Sequence, residues 1–169
     1  EHDLLVLSDE IYDQIRYTED YFSTAHLAKD LPVVGLNGFS KVYLMTGWRL
    51  GYAYFYEQNG ELQELKKSIE KEQRIIICAN TPVQMAGIAA LRGPQDHVKD
   101  MVERLRIRRD YAWKRLNEIE GISCAKPEGA FYVFPKIHDV GTKWKTDMEF
   151  AVELLKETGV LLVHGSGFD

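Results

Sequence analysis

The sequence predicts an α/β fold in which a mainly parallel sheet with helices on its faces is followed by a smaller α+β unit. Two observations favour this fold class. Up to about residue 94, short apolar runs alternate with helical patterns, as is typical of strands buried in parallel sheets. Beyond that point the sequence changes to one long helix and a shorter mixture of strands and helix. We therefore expect residues 1–105 to belong to a large domain and residues 106–169 to a small one, joined by a helix over residues 94–119.

The first half contains three predicted strands, at residues 4–7, 31–36 and 51–56. The first two are continuous apolar runs that suit strands buried on both faces, and the third is rich in aromatic residues. A helix is expected over residues 60–77, and another begins at Thr81, with Pro82 at its first position. Small residues along this second helix indicate either a subunit contact or ordinary core packing, and both alternatives stay open.

The second half begins with the long helix, which has apolar residues at a spacing of three to four and a face dense in Arg and Lys. Two strands are predicted next, at residues 122–125 and 131–134. Thr146 and Glu149 have the spacing of a capping box, which predicts a helix that ends before Gly159. An apolar run at residues 160–163 predicts a last strand.

The composition disfavours several classes of protein. Of the 169 residues, 45% are hydrophobic and 28% are charged, which excludes wholesale disorder. The 21 Lys and Arg residues are outnumbered by 26 Asp and Glu residues, and without a basic block we expect no nucleic-acid partner. No apolar run approaches the roughly 18 residues that span a bilayer, so we expect no membrane partner.

The cysteines and histidines indicate neither a disulfide framework nor a metal site. Cys78 and Cys124 are far apart in the sequence, and the five histidines are never at the spacing of metal ligands. No signal-peptide pattern is present, and we expect a cytoplasmic location.

Polar side chains fall close to the ends of the three predicted strands. Asp9 follows the first strand, with Tyr12 three residues later. Ser40 and Lys41 follow the second strand, and Arg49 precedes the third. Each of these residues alone has an ordinary structural explanation, but ligands of open α/β sheets bind beyond the carboxyl ends of the strands. The combination therefore predicts one cleft with a carboxylate, a phenol, an amine and a guanidinium.

These residues lie in motifs that resemble those of the class I/II aminotransferases, which are pyridoxal-phosphate enzymes of fold type I. The run NGFSKVYLMTGWRLGY at residues 37–52 resembles the family signature, and SDEIY at residues 8–12 resembles its cofactor-ring motif. PEGAFY at residues 127–132 resembles the small-domain hairpin, and VHGSGF at residues 163–168 resembles the segment that leads to the substrate-carboxylate arginine. Within the family, the motifs look most like those of archaeal alanine or broad-specificity aminotransferases.

The resemblance implies a role for each candidate residue. Lys41 is the catalytic residue, whose amine bonds to the cofactor aldehyde and then transfers a proton from the substrate Cα. Asp9 keeps the pyridine nitrogen protonated, and Tyr12 donates a hydrogen bond to the phenolic oxygen of the ring. Arg49 binds the phosphate with two parallel hydrogen bonds, and Ser40 is a further donor to it.

One position departs from the pattern of many relatives. Gly38 stands three residues before Lys41, where those relatives carry a Ser or Thr whose hydroxyl contacts the phosphate. The resemblance then implies that backbone N–H groups, Ser40 or donors earlier in the chain hold the phosphate instead.

The resemblance implies a homodimeric aminotransferase that moves an amino group between an amino acid and a 2-oxo acid, such as alanine and 2-oxoglutarate. Two alternatives stay open. One is a pyridoxal-phosphate carbon–sulfur lyase or related synthase on the same fold, and the other is a cofactor-binding sensor domain of a transcriptional regulator.

The resemblance also implies that the chain is truncated at both ends. It would contain part of a mainly parallel seven-stranded large domain and part of the small domain. The phosphate loop, the aromatic residue that stacks on the ring and the substrate-carboxylate arginine would lie outside it. We therefore expect this chain alone to be inactive.

Overall fold

The structure is a computed structural model that describes residues 4–168. Its strands are β1 (Val6–Asp9), β2 (Val33–Gly38), β3 (Gly51–Tyr56), β4 (Ile122–Cys124) and β5 (Pro135–Ile137). Its α-helices are α1 (Thr24–Ala28), α2 (Gln63–Ile76), α3 (Thr81–Arg92), α4 (Asp96–Asn117) and α5 (Asp147–Thr158). The chain divides into two compact units after Glu103, within α4. The assignment of these units to a large and a small domain stays a prediction.

The first unit is built on a three-stranded sheet in the order β1-β2-β3. β1 and β2 are parallel, whereas β3 runs antiparallel to β2. The central strand provides the apolar core, because Val33 and Val34 are 0% and 2% exposed. The α/β class is confirmed, and the sheet within this chain is mixed, with one parallel and one antiparallel pairing.

The expectation that the first strand is buried on both faces is wrong for this chain. Leu5 and Leu7 are 52% and 63% exposed, because the other described residues leave their side chains uncovered. An apolar run predicts that a strand is suited to burial, but not how many of its faces are covered.

The second unit contains a small antiparallel pair, β4 and β5. The predicted strand at residues 131–134 is wrong, because β4 pairs instead with Pro135–Ile137, in a register that places Ile122 opposite Ile137. Just before the predicted strand, Ala130 takes a left-handed backbone conformation with φ 57°, which interrupts an extended chain. The apolar pattern of residues 131–134 could not reveal this local turn.

Helix α5 follows its predicted boundaries. The Thr146 side chain accepts a hydrogen bond from the backbone N–H of Glu149 at its start, and Gly159 ends it with φ 75°. The predicted last strand at residues 160–163 is wrong, because these residues pair with no strand among those described. Leu161 and Val163 are 75% and 73% exposed, and an apolar run without a partner has no ladder to join.

Candidate active site

The strand directions bring three chain segments to one edge of the first sheet. β1 and β2 both end there, with Asp9 opposite Leu36, two residues before the end of β2. Because β3 is antiparallel, it begins at the same edge, with Gly51 opposite Gly38. Neighbouring strands are about 4.8 Å apart, so the ends of β1 and β2 and the start of β3 lie within about 10 Å of one another. The candidate residues predicted from the sequence lie at or close to these strand ends.

The turn after β1 places Asp9 and Tyr12. Asp9 is the last residue of β1, where its exposed carboxylate accepts a hydrogen bond of 3.2 Å from the backbone N–H of Ile11. The next residues form a tight turn, in which Asp13 N–H donates to the Glu10 carbonyl at 3.0 Å and Ile15 N–H donates to the Tyr12 carbonyl at 2.9 Å. Ile15 is 1% exposed and anchors the turn in the core.

The segment between β2 and β3 is anchored by buried residues at every third position. Phe39, Val42 and Met45 are buried, at 5%, 2% and 8% exposure. The Phe39 carbonyl accepts hydrogen bonds from the N–H groups of Tyr43 and Met45, both at 3.3 Å. Because Phe39 and Val42 close to it are buried, Lys41 is held half-buried on an anchored loop.

Lys41 and Tyr12 meet at this edge. The Lys41 Nζ atom lies 5.6 Å from the centre of the Tyr12 ring, within the range of a cation–π contact. The two residues come from different loops, one after β1 and one after β2. This contact joins two of the residues that the sequence singled out.

Arg49 lies two residues before β3 in a left-handed backbone conformation, with φ 52° and ψ 49°. Its guanidinium is exposed and donates a hydrogen bond of 2.8 Å to the Thr46 carbonyl. Leu44 in the same loop also has a positive φ, of 54°. Two such residues cost about 1–2 kcal/mol each in local strain, and conformations of this kind cluster at functional sites.

Close backbone approach explains the glycine three residues before Lys41. A Cβ atom on Gly38 would lie 3.0 Å from the Cα of Gly51 and 3.0 Å from the carbonyl oxygen of Leu50. A Ser or Thr side chain at this position would therefore need β3 to move. Ser40, the other predicted donor of this loop, is half-buried.

Helix α3 packs on the same loop through a glycine. A Cβ atom on Gly87 would lie 2.5 Å from Leu50 Cδ2 and 3.3 Å from Phe39 Cζ. Core packing therefore accounts for this small residue, whereas Ala89 on the same helix is exposed. A subunit contact through α3 stays a prediction.

A separate small pocket lies beside the loop and contains none of the five predicted site residues. Its polar lining includes Asp13, Asn37, Tyr43 and Tyr52. Burial raises the pKa of Asp13, and a hydrogen bond with Asn37 acts in the opposite direction. Burial, and then the charge of Asp13, raises the pKa of both tyrosines.

Glu10 lies between Asp9 and Tyr12 but was not among the predicted residues. Its side chain is hydrogen-bonded to Tyr54 of β3 and to the backbone N–H of Thr24 in α1. Its place inside the SDEIY motif is the only sequence signal for it. A hydrogen bond to a tyrosine 44 residues away is visible only in the folded structure.

Within residues 4–168, no group of three or more His, Cys, Asp or Glu side chains is placed to hold a metal ion. No described helix combines the length and the apolar character needed to cross a bilayer.

Comparisons with known proteins agree with the motifs. The family model for aminotransferase class I and II matches residues 1–169. An alanine aminotransferase from Pyrococcus furiosus has a similar structure, with a TM-score of 0.92 and 52% identity over 98% of this chain and 42% of that one. A probable aspartate aminotransferase from Methanocaldococcus jannaschii is 39% identical over 99% of this chain and 43% of its own length.

A bacterial relative, the glutamate-pyruvate aminotransferase of Escherichia coli, is 37% identical over 100% of this chain and 42% of its own length. The chain thus spans less than half the length of these relatives. The match to a Pyrococcus furiosus alanine aminotransferase confirms the predicted likeness to archaeal members of the group. The chain belongs to the class I and II aminotransferases, a family of pyridoxal-phosphate enzymes.

Proposed function

We propose that the protein is a pyridoxal-phosphate-dependent aminotransferase, which moves an amino group between an amino acid and a 2-oxo acid. The observation that supports this most directly is the position of Lys41. Its amine lies 5.6 Å from the Tyr12 ring, at the sheet edge where Asp9 and Arg49 also lie. An amine, a phenol, a carboxylate and a guanidinium are the groups that this chemistry needs.

The side chains at this site fit a phosphorylated pyridine aldehyde. Asp9 is an exposed carboxylate that can pair with a protonated ring nitrogen, and Tyr12 is a phenol that can donate to a ring oxygen. Arg49 is exposed and has a planar fork of donors that matches a phosphate, which Lys would not reproduce. The residues present are therefore compatible with the cofactor.

When bound, the cofactor supplies a ring that accepts the electron pair released when a substrate C–H bond breaks. With the cofactor bound, Lys41 Nζ would be the base that takes the proton from the substrate Cα and the acid that later gives it up. Asp9 would favour the charged form of the ring nitrogen, because a carboxylate in contact stabilises a positive charge. Arg49 and Ser40 would hold the phosphate, which would keep the reacting atoms near Lys41.

The names of the relatives support alanine and 2-oxoglutarate as one substrate pair. The Pyrococcus furiosus structure is named an alanine aminotransferase, and the Escherichia coli relative is named a glutamate-pyruvate aminotransferase. The Methanocaldococcus jannaschii relative is named a probable aspartate aminotransferase, which makes aspartate the second amino donor to test.

We further propose that the protein acts as a homodimer in the cytoplasm on small-molecule substrates, without a nucleic-acid or membrane partner. The net charge of −5 opposes binding to nucleic acids and to anionic lipid surfaces. The exposed free thiol of Cys78 suits a reducing compartment.

The assignment of Lys41 can be tested by borohydride reduction of the cofactor-loaded full-length protein. Reduction should attach the cofactor covalently to the peptide that contains residue 41, as measured by mass spectrometry. Lys41→Ala should abolish this attachment, whereas Lys67→Ala, an exposed lysine of α2, should retain it. Covalent cofactor on the Lys41→Ala protein at the wild-type level would contradict the proposal.

Product analysis separates transfer from lyase chemistry. With alanine and 2-oxoglutarate, an aminotransferase should form pyruvate and glutamate in equal amounts. Release of ammonia with little glutamate would instead identify a lyase. Replacing alanine with aspartate in the same assay tests the second amino donor.

A further inference from the structure

The Glu10 carboxylate, one residue after Asp9, joins three elements: β1, β3 and α1. Its Oε2 accepts a hydrogen bond of 2.8 Å from the hydroxyl of Tyr54, in β3. Its Oε1 accepts one of 2.9 Å from the backbone N–H of Thr24, at the start of α1, and one of 3.2 Å from the Ser8 hydroxyl. The Ser8 and Thr24 hydroxyls also contact each other at 2.7 Å. We call these four residues the Glu10 cluster.

The Tyr54 side of the cluster is held by packing. A Cβ atom on Gly35 would lie 2.0 Å from Tyr54 Cζ, so the tyrosine ring lies directly over the glycine of the central strand. The pKa of Tyr54 is raised to about 12, first by burial and then by the hydrogen bond to Glu10. The phenol therefore stays protonated and donates to Glu10 at any ordinary pH.

The backbone of Glu10 is held as well. Its N–H donates a hydrogen bond of 2.8 Å to the Leu36 carbonyl, which extends the contact between β1 and β2 by one residue. Asp9 precedes this fixed residue directly, and Tyr12 follows it by two. The Asp9 side chain is exposed, and every residue of the turn before Ile15 is exposed or half-buried, so the fixed backbone of Glu10 helps to tie this turn to the sheet.

We propose that Glu10 is a positioning residue, which fixes Asp9 and Tyr12 against the cofactor through its contacts to Tyr54 and Thr24. This inference rests on the proposed function. A carboxylate accepts from donors at both of its oxygens at once. Gln would turn an NH₂ group either towards the Thr24 N–H, where two donors would face each other, or towards Tyr54, whose hydroxyl would then have to accept instead of donate. A misplacement of about 1 Å at a reacting group can cost about a hundredfold in rate.

The experiment compares Glu10→Gln, Tyr54→Phe and their double variant in the cofactor-loaded full-length protein. The principal measurement is the pH titration of the visible absorbance of the bound cofactor. We expect its midpoint to rise in both single variants, because Tyr12 would donate less well to the ring oxygen. We also expect kcat to fall about tenfold or more with KM little changed. The double variant should resemble the singles, since both disrupt one network.

The matched control is Glu57→Gln. Glu57 follows β3 at the opposite edge of the sheet, where its carboxylate accepts a hydrogen bond of 2.5 Å from the backbone N–H of Leu62. This variant also weakens an acceptor of a backbone N–H group, but far from Asp9 and Tyr12. Its absorbance midpoint should match that of the wild type, even if its thermal stability falls.

The outcomes separate this inference from the proposed function. If the wild-type protein has no cofactor absorbance that borohydride fixes to Lys41, the proposed function fails first. If the wild type has it and both single variants share its midpoint and kcat, the positioning role is overturned. If Glu10→Gln does not fold, Tyr54→Phe, which removes only a hydroxyl, decides the question alone.

Discussion

At the scale of single residues, Asp9 shows how one side chain can serve both the fold and the proposed chemistry. Its carboxylate accepts a hydrogen bond from the backbone N–H of Ile11, which helps to form the turn after β1. The same group is exposed at the sheet edge, where a negative charge would stabilise a protonated ring nitrogen. The two roles differ in what they require, because the turn needs only an acceptor oxygen whereas the chemistry needs a charge.

Asp9→Asn separates these roles. Its amide oxygen can still accept from Ile11, so thermal stability should change little. The loss of the charge should lower kcat/KM for the amino acid by about 10²–10³-fold, on the scale of one removed electrostatic contact. Steady-state kinetics and a melting curve measure the two effects, with Asp20→Asn in an exposed loop as the control. An unchanged kcat/KM would refute the role of Asp9.

Tyr54 predicts a dependence of stability on pH. Its pKa is near 10.0 in the unfolded chain and about 12 in the folded protein, because burial and the hydrogen bond to Glu10 favour the protonated phenol. Between these values the folded state binds more protons than the unfolded state. The contribution of Tyr54 to stability is therefore complete below pH 10 and is lost as the pH rises towards 12.

Tyr54→Phe should make the free energy of unfolding fall less steeply across this alkaline window. Chemical denaturation at a series of pH values measures the slope. Tyr111→Phe is the matched control, because the Tyr111 ring is 68% exposed. Equal slopes for Tyr54→Phe and the wild type would show that Tyr54 does not contribute.

At the scale of elements, α5 illustrates how local contacts define both ends of a helix. The Thr146 hydroxyl accepts from the N–H of Glu149 at 3.1 Å, and the Glu149 carboxylate accepts from the N–H of Lys145 at 2.7 Å. At the other end, the N–H of Gly159 donates to the Leu155 carbonyl at 2.9 Å. Donors and acceptors that the helix leaves unpaired are thus satisfied within a few residues.

Thr146→Ala removes the first of these contacts and should destabilise the protein by about 1 kcal/mol. Ser68→Ala is the control, because its hydroxyl donates to the Glu64 carbonyl in the interior of α2, away from either helix end. We expect that change to stay within about 0.5 kcal/mol. Chemical denaturation measures both, and equal effects would mean that the cap does not stabilise α5.

At the scale of the whole molecule, the first sheet leaves apolar surface exposed in this chain. β1 pairs on one side only, with β2, so it is an outermost strand of the described sheet. Leu7 of this strand is 63% exposed. An exposed apolar edge strand is a template for pairing with another chain.

The 169-residue polypeptide by itself should therefore associate, and size-exclusion chromatography should show a species larger than 19.5 kDa. Leu7→Glu should shift it towards the monomer, because a charge on an edge strand opposes pairing. Leu27→Glu is the matched control, since Leu27 has the same 63% exposure but lies on α1. A similar shift in both variants would indicate a general effect of charge instead.

The sequence by itself determined the features that depend on contacts between near neighbours. The cap at Thr146 and the stop at Gly159 were predicted, because each arises within a few residues. The sequence also predicted that Asp9, Tyr12, Lys41 and Arg49 lie near strand ends, because this follows from the motif spacing and from the positions of the apolar runs.

Only the tertiary structure decided which strands pair and in which direction. The antiparallel direction of β3 brings Arg49 to the edge where β1 and β2 end. The strands predicted from the apolar pattern at residues 131–134 and 160–163 are wrong, because β4 pairs with Pro135–Ile137 and residues 160–163 pair with no described strand. The contact of Glu10 with Tyr54 spans 44 residues. A strand needs hydrogen bonds to a partner remote in the chain, so its own residues cannot specify whether that partner is present.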